Sequence, residues 1–144
     1  MAGRVIGIVP ARGGSRGIPR KHLRPLGSVP LLAWTLVPAT HACDLVILSS
    51  DDAEILDSAI GLCGGEYVDC GDYTLKPKDI LVLHRRSAML ATDRTPDLPV
   101  VLDAYRQIDQ EPDDVIVLLR PTAPFRRERE ITDCASLLRA VPEA

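Results

Sequence analysis

Short Val/Ile/Leu runs without polar alternation constrain this chain more than any other feature. Arg4 to Pro10 reads RVIGIVP, Leu45 to Leu48 reads LVIL and Val115 to Leu119 reads VIVLL. Successive side chains of a strand point to opposite faces, so a strand with one wet face alternates apolar and polar residues. A run with no polar alternate has both faces covered, which is the pattern of a parallel sheet between helices. Parallel neighbours need crossover connections long enough to hold a helix. The spacing between these runs allows that.

The intervening segments carry helix signals. Ser28 is placed to cap a helix with Pro30 in its first turn and Leu31, Leu32, Trp34, Thr35 and Leu36 as its apolar residues; Pro38 is expected to kink or shorten it. A second helix starts at Ser50 or Asp51, where Asp51 and Glu54 have capping-box spacing, and ends at Gly64-Gly65. Its apolar face is Ile55, Leu56, Ala59, Ile60 and Cys63. Leu98, Val101, Leu102, Tyr105 and Ile108 predict a third helix, and Ile131, Cys134, Ala135 and Leu138 one face of a fourth. Glu66 to Asp69 is a candidate strand, and Ile80 to Leu83 reads as an extra strand or part of a hairpin. The whole predicts one α/β domain over residues 1–144, a doubly wound and mainly parallel sheet with helices on both faces. Ligands of such sheets collect at the carboxyl ends of the strands. Residues 11–22, 49–52 and 120–125 fall there.

Charge distribution sharpens this. The chain carries a formal net charge of −3, which argues against a general nucleic-acid binder. Residues 1–43 alone carry +6, through Arg4, Arg12, Arg16, Arg20, Lys21 and Arg24, and the remainder −9. A basic pole on an acidic body suggests a localised anion site. No run approaches the length of a membrane span, and the MAGRVIGIVPA opening reads as a strand entering a loop rather than a secretory signal. A cytoplasmic protein with no membrane partner is expected. Cys43, Cys63, Cys70 and Cys134 lack CxxC spacing and nearby paired histidines, so reduced cysteines are expected instead of a zinc site.

The anion site falls in the loop after the first strand, PARGGSRGIPRK from Pro10 to Lys21. Glycines let the backbone turn tightly and offer N–H groups to an oxyanion. Ser15 adds a hydroxyl, and Arg12, Arg16 and Lys21 add full charges, each able to form charge-assisted hydrogen bonds to phosphate. The loop lacks GxxxxGK[ST], so it is not a Walker loop, and lacks GxGxxG, which disfavours a dinucleotide fold.

The run IVPARGGSRGIPRKHLRPLG resembles the signature of the acylneuraminate cytidylyltransferases, the CMP-sialic acid synthetases. Three later segments resemble that family in the same order: VILSSDD at 46–52, RSAMLATD at 86–93 and LLRPTAPFR at 118–126. The resemblance implies a Rossmann-like nucleotidyltransferase that joins CMP, from CTP, to a sialic-acid-like nonulosonic acid and releases pyrophosphate, with Mg2+ as cofactor. It implies that Arg12, Arg16 and Lys21 hold the triphosphate, with Arg12 and Lys21 stabilising the transition state. Gly13, Gly14 and Ser15 make loop contacts. Arg86 lies by the cytosine or ribose, with adjacent Arg85 one register step away. His22, standing where the family has Asn, keeps part of a nucleotide contact. Arg120 faces the sugar acid's carboxylate. A homodimer is implied as well.

Departures from the family pattern are specific. Val68 to Leu83 is longer than the usual link, and Met89 replaces a Glu. The family's late aspartate motif, which binds Mg2+, has no counterpart, and the resemblance is expected to cover about the first two-thirds of a typical member. Two alternatives follow: a non-catalytic nucleotide-binding or oligomerisation module with the same fold, and a cytidylyltransferase for another 3-deoxy sugar acid. The loop fits the acylneuraminate group better than the octulosonate group.

Overall fold

Four strands form one parallel sheet in the computed structural model, which describes residues 3–14, 17–64, 68–69, 74–75 and 81–141. In chain order the strands are β1 (Val5–Pro10), β2 (Pro25–Leu26), β3 (Val29–Pro30), β4 (Leu45–Ser50), β5 (Val68–Asp69), β6 (Thr74–Leu75), β7 (Leu81–Arg85) and β8 (Val115–Leu118). The helices are α1 (Ala33–Ala42), α2 (Ala53–Gly64), α3 (Asp97–Tyr105) and α4 (Glu128–Ala140), with short 3-10 turns at Lys21–Leu23 and Ala88–Leu90. The main sheet has the order β7-β4-β1-β8, and each of its pairings is parallel. The expected doubly wound architecture is therefore present.

The non-alternating runs behave as their composition requires. Val5 and Val9 of β1, with Val46 and Leu48 of β4, meet α1, α2 and α4 on one face. Ile6, Ile8 and Ile47 meet Ala104, Val101 and Tyr105 of α3 on the other. Each fully buried aliphatic side chain contributes about 1.5–3 kcal/mol, so β1 and β4 are held from both sides.

Several local expectations are corrected. Ser28 does not cap a helix: it lies in the turn of the antiparallel β2-β3 hairpin, where Gly27 supplies a φ of +70°. The helix begins at Ala33 and runs through Pro38 to Ala42, while Trp34 Nε1 donates to the Leu26 carbonyl at 2.9 Å and ties it to the hairpin. Asp52, not Asp51, caps α2, its side chain accepting from Glu54 N at 2.9 Å. Ile60 is exposed, and so are Leu98, Leu102, Cys134 and Leu138. The helices face the sheet through Val100 and Ala104 in α3 and through Ile131 and Ala135 in α4. A small residue at the closest approach packs where a leucine would not, and the larger apolar residues fall to the flanks. The Ile80–Leu83 segment resolves as β7, Leu81–Arg85, parallel to β4. The Gly65 end of α2 and the link at 70–73 and 76–80 lie outside the described residues.

Candidate active-site cleft

Strand order reverses at β1. The chain moves outward from β1 to β4 to β7, then crosses by α3 to β8 on the opposite side of β1. A crevice at the carboxyl ends of strands opens where such an order reverses. The cavity found there, about 230 Å³, is lined by Pro10 at the end of β1 and Arg12 just beyond it, and by Leu118, Arg120, Pro121 and Thr122 at and after the end of β8. His22 from the first 3-10 turn also reaches it, as do Arg86, Thr92 and Asp93 after β7 and Asp97 and Val100 of α3.

The loop after β1 is fixed by its backbone. Ala11 N donates to Ser49 O and Gly13 N to Asp51 Oδ1, both at 2.9 Å. Gly13 sits so close to β4's end that a Cβ there would collide with Asp52 Oδ2 and lie 2.9 Å from Asp52 Cβ. Arg20, in the left-handed conformation at φ 55°, pairs with Asp52 and Glu54 and closes the loop back onto α2. Burial pushes the Asp52 carboxyl up, but its hydrogen bonds from Arg20 and from the helix N–H groups outweigh that, and the net shift is down. The two acids after β4 therefore hold backbone and a helix start.

Arg86 is the least satisfied polar group of the cleft. Its side chain is buried; Nη1 donates to the Leu90 carbonyl at 3.2 Å, while Nε and Nη2 have no partner. Its backbone N donates to Ser50 O at 2.8 Å, continuing the β4-β7 ladder one residue past Arg85, which is exposed. That settles the one-residue choice: Arg86 points in and Arg85 out. Burial lowers the guanidinium's proton affinity, with Asp51 opposing the shift and Arg12 adding to it. A buried guanidinium with two unpartnered nitrogens is expensive unless a ligand satisfies them.

His22 is also buried, with Nδ1 unpartnered. Burial, then the charges of Lys21, Arg12 and Arg86, push its pKa down to about 4. At neutral pH it is an uncharged imidazole facing a cationic wall, able to donate from one nitrogen and accept at the other.

Arg12, His22, Arg86 and Arg120 line one cleft. Lys21 does not line it, although its charge is felt at His22. The Gly13 N–H is committed to Asp51, and Gly14 is exposed with open space around it. Ser15 and Arg16 lie outside the described residues. Two residues that sequence reasoning did not assign also matter: Asp93 pairs with Arg12, and Asp97 with Arg120. Asp93 closes the RSAMLATD segment and Asp97 follows a helix-starting Pro96, so a search for acids complementary to the basic loop would have found both.

Among the described residues, no three His, Cys, Asp or Glu side chains gather in a way that could hold a metal ion. The cleft acids Asp93 and Asp97 are each paired with an arginine. Nor is any described helix long and apolar enough to cross a membrane.

The cytidylyltransferase family pattern matches residues 6–71. The CMP-N,N'-diacetyllegionaminic acid synthase of Legionella pneumophila is 32% identical over 133 residues, 89% of this chain and 50% of that protein. The N-acylneuraminate cytidylyltransferase of Escherichia coli O18:K1:H7 is 29% identical over 142 residues, 95% of this chain and 29% of that protein. The structure of CMP:2-keto-3-deoxy-manno-octonic acid synthetase complexed with CTP superposes with a TM-score of 0.70 at 16% identity, over 96% of this chain and 48% of that one; this is a likeness of fold. The chain spans half or less of these relatives, not the two-thirds expected. On the matched pattern and the relatives that align with most of its length, the chain is similar to the cytidylyltransferases.

Proposed function

We propose that this domain binds CTP in the β1-β8 cleft and serves a cytidylyltransferase that transfers CMP to a sialic-acid-like nonulosonic acid. In that reaction the sugar's anomeric oxygen forms a bond to the α-phosphorus, the bond from that phosphorus to the bridging oxygen breaks, and pyrophosphate leaves. The hydroxyl proton passes to solvent. The protein supplies no nucleophile; it brings two anions together and offsets their repulsion.

The observation that carries this reading is the buried, half-satisfied guanidinium of Arg86 beside Arg12 and neutral His22. Arg12 holds phosphate, Arg86 and His22 hold the nucleoside's oxygens and nitrogens, and Arg120 takes the sugar carboxylate. Lys21 adds charge beside His22, and Gly13 and Gly14 shape the loop, while Arg16 is assigned to the phosphates by the resemblance. Magnesium, which the resemblance implies, would supply further positive charge to the triphosphate. The reading places the protein in the cytoplasm, where CTP is found, and includes a homodimer, which sedimentation of the purified chain tests.

Calorimetric titration with CTP, UTP, GTP and ATP in the presence of Mg2+ tests the nucleotide site. Selective CTP binding is expected. A folded chain that binds none of the four would overturn the reading.

A further inference from the structure

We infer that Asp93 and Asp97 are specificity residues of this cleft: they occupy Arg12 and Arg120 in the absence of ligand and yield them to a ligand that offers an anionic group to each. This rests on the CTP and sugar-acid reading above.

Both acids come from one short segment and line the same cavity as the two arginines they hold. The turn that presents them is self-contained: Thr92 N donates to Thr95 Oγ1 at 3.2 Å, the two hydroxyls are 2.7 Å apart, and Thr95 N donates to Thr92 O at 3.2 Å. Its bonds do not depend on the arginines, so the turn keeps its shape when the ion pairs open. Asp97 is also the first residue of α3, where the helix dipole favours its charge with or without Arg120.

The pairs are accessible. The side chains of Arg12 and Asp93 are 30% and 28% exposed, and those of Arg120 and Asp97 56% and 48%. Ion pairs of that exposure change an equilibrium by about two- to five-fold. A single carboxylate on Arg120 would merely replace Asp97 and leave that charge unpaired in the cleft. A polyanion that engages a cleft arginine through several charge-assisted bonds outweighs the pair it displaces. The carboxylates therefore disfavour small monoanions and set a threshold that a nucleotide and sugar acid together exceed.

Titration with inorganic pyrophosphate, orthophosphate and CTP tests this in the full chain, comparing wild type with Asp93→Asn, Asp97→Asn and the double variant. Asp57→Asn, exposed on α2 away from the cleft, controls for net charge. Pyrophosphate should bind the double variant tighter than wild type by about two- to five-fold or more, and its margin over orthophosphate should narrow. Unchanged or weaker pyrophosphate binding in the folded double variant would overturn the inference. Should a variant fail to fold, wild type still decides: the Asp93 carboxyl carbon resonance should shift on adding pyrophosphate, and an unmoved resonance at saturation, or no binding at all, counts against it. Pyrophosphate binding that tightens in the variants without any CTP selectivity would sustain the carboxylate role while removing the nucleotide reading.

Discussion

The carboxylate of Asp51 accepts the backbone N–H of Gly13 at 2.9 Å, so the end of β4 sets the course of the loop leaving β1. The loop's first glycine is thereby a fitting point between two strands.

Replacing Gly13 tests that fit. A Cβ there meets Asp52, whose side chain also caps α2 and pairs with Arg20. Gly13→Ala should lower stability by about 1–3 kcal/mol, as overpacking does, and weaken CTP binding. Urea denaturation and titration measure the two effects. An unchanged midpoint would show that Asp52 moves aside without consequence.

Arg86 should separate stability from function. Arg86→Met removes a buried charge with two unpartnered nitrogens and keeps most of the side-chain volume. Stability should stay within about 1 kcal/mol of wild type or rise, while CTP affinity falls by about tenfold or more. A variant that unfolds would assign Arg86 a structural role instead.

Arg12 and Lys21 should differ. Arg12 lines the cleft and Lys21 does not. Arg12→Ala should weaken CTP binding by about ten- to hundred-fold, the worth of a charge-assisted bond. Lys21→Ala acts through a more distant charge and should change affinity by about two- to five-fold. Equal losses would show that Lys21 enters the cleft once nucleotide is bound.

His22 makes stability depend on pH in one direction. Its folded pKa of about 4 lies below the ordinary 6.5, so the unfolded chain binds the extra proton first. The stabilisation is complete above about pH 6.5 and falls as pH drops toward 4. Between pH 7 and pH 5 wild type should lose about 2 kcal/mol more than His22→Gln does. Denaturation curves at the two pH values check this; parallel losses would exclude His22 as the source.

The sheet was legible because its strands are buried on both faces, and composition alone encodes that. The Arg4–Pro10 and Val115–Leu119 runs each differ from the observed strand by a single end residue. The β2-β3 hairpin was not legible: each strand has two residues, too few for any period, and Ser28 looks the same in a turn as at a helix cap. Helix faces were misread where alanine makes the close contact and leucine the flank, as at Ala104 and Leu102. In the cleft, Arg12, His22 and Arg120 fall in runs that the sequence placed at strand ends, whereas Arg86 came from the family resemblance alone. The pairing of Arg12 with Asp93 and of Arg120 with Asp97 was not, since it joins residues far apart in the chain across a tertiary gap.

β1 is hydrogen-bonded along both edges, to β4 and to β8, whereas β7 pairs with β4 alone among the described strands. Amides of Ile6 and Ile8 can exchange with solvent only when the whole domain opens, while those of the turn after β7 need only a local excursion. The cleft therefore joins two unequal supports: Arg12 follows the central strand of the sheet, and Asp93 follows its edge strand.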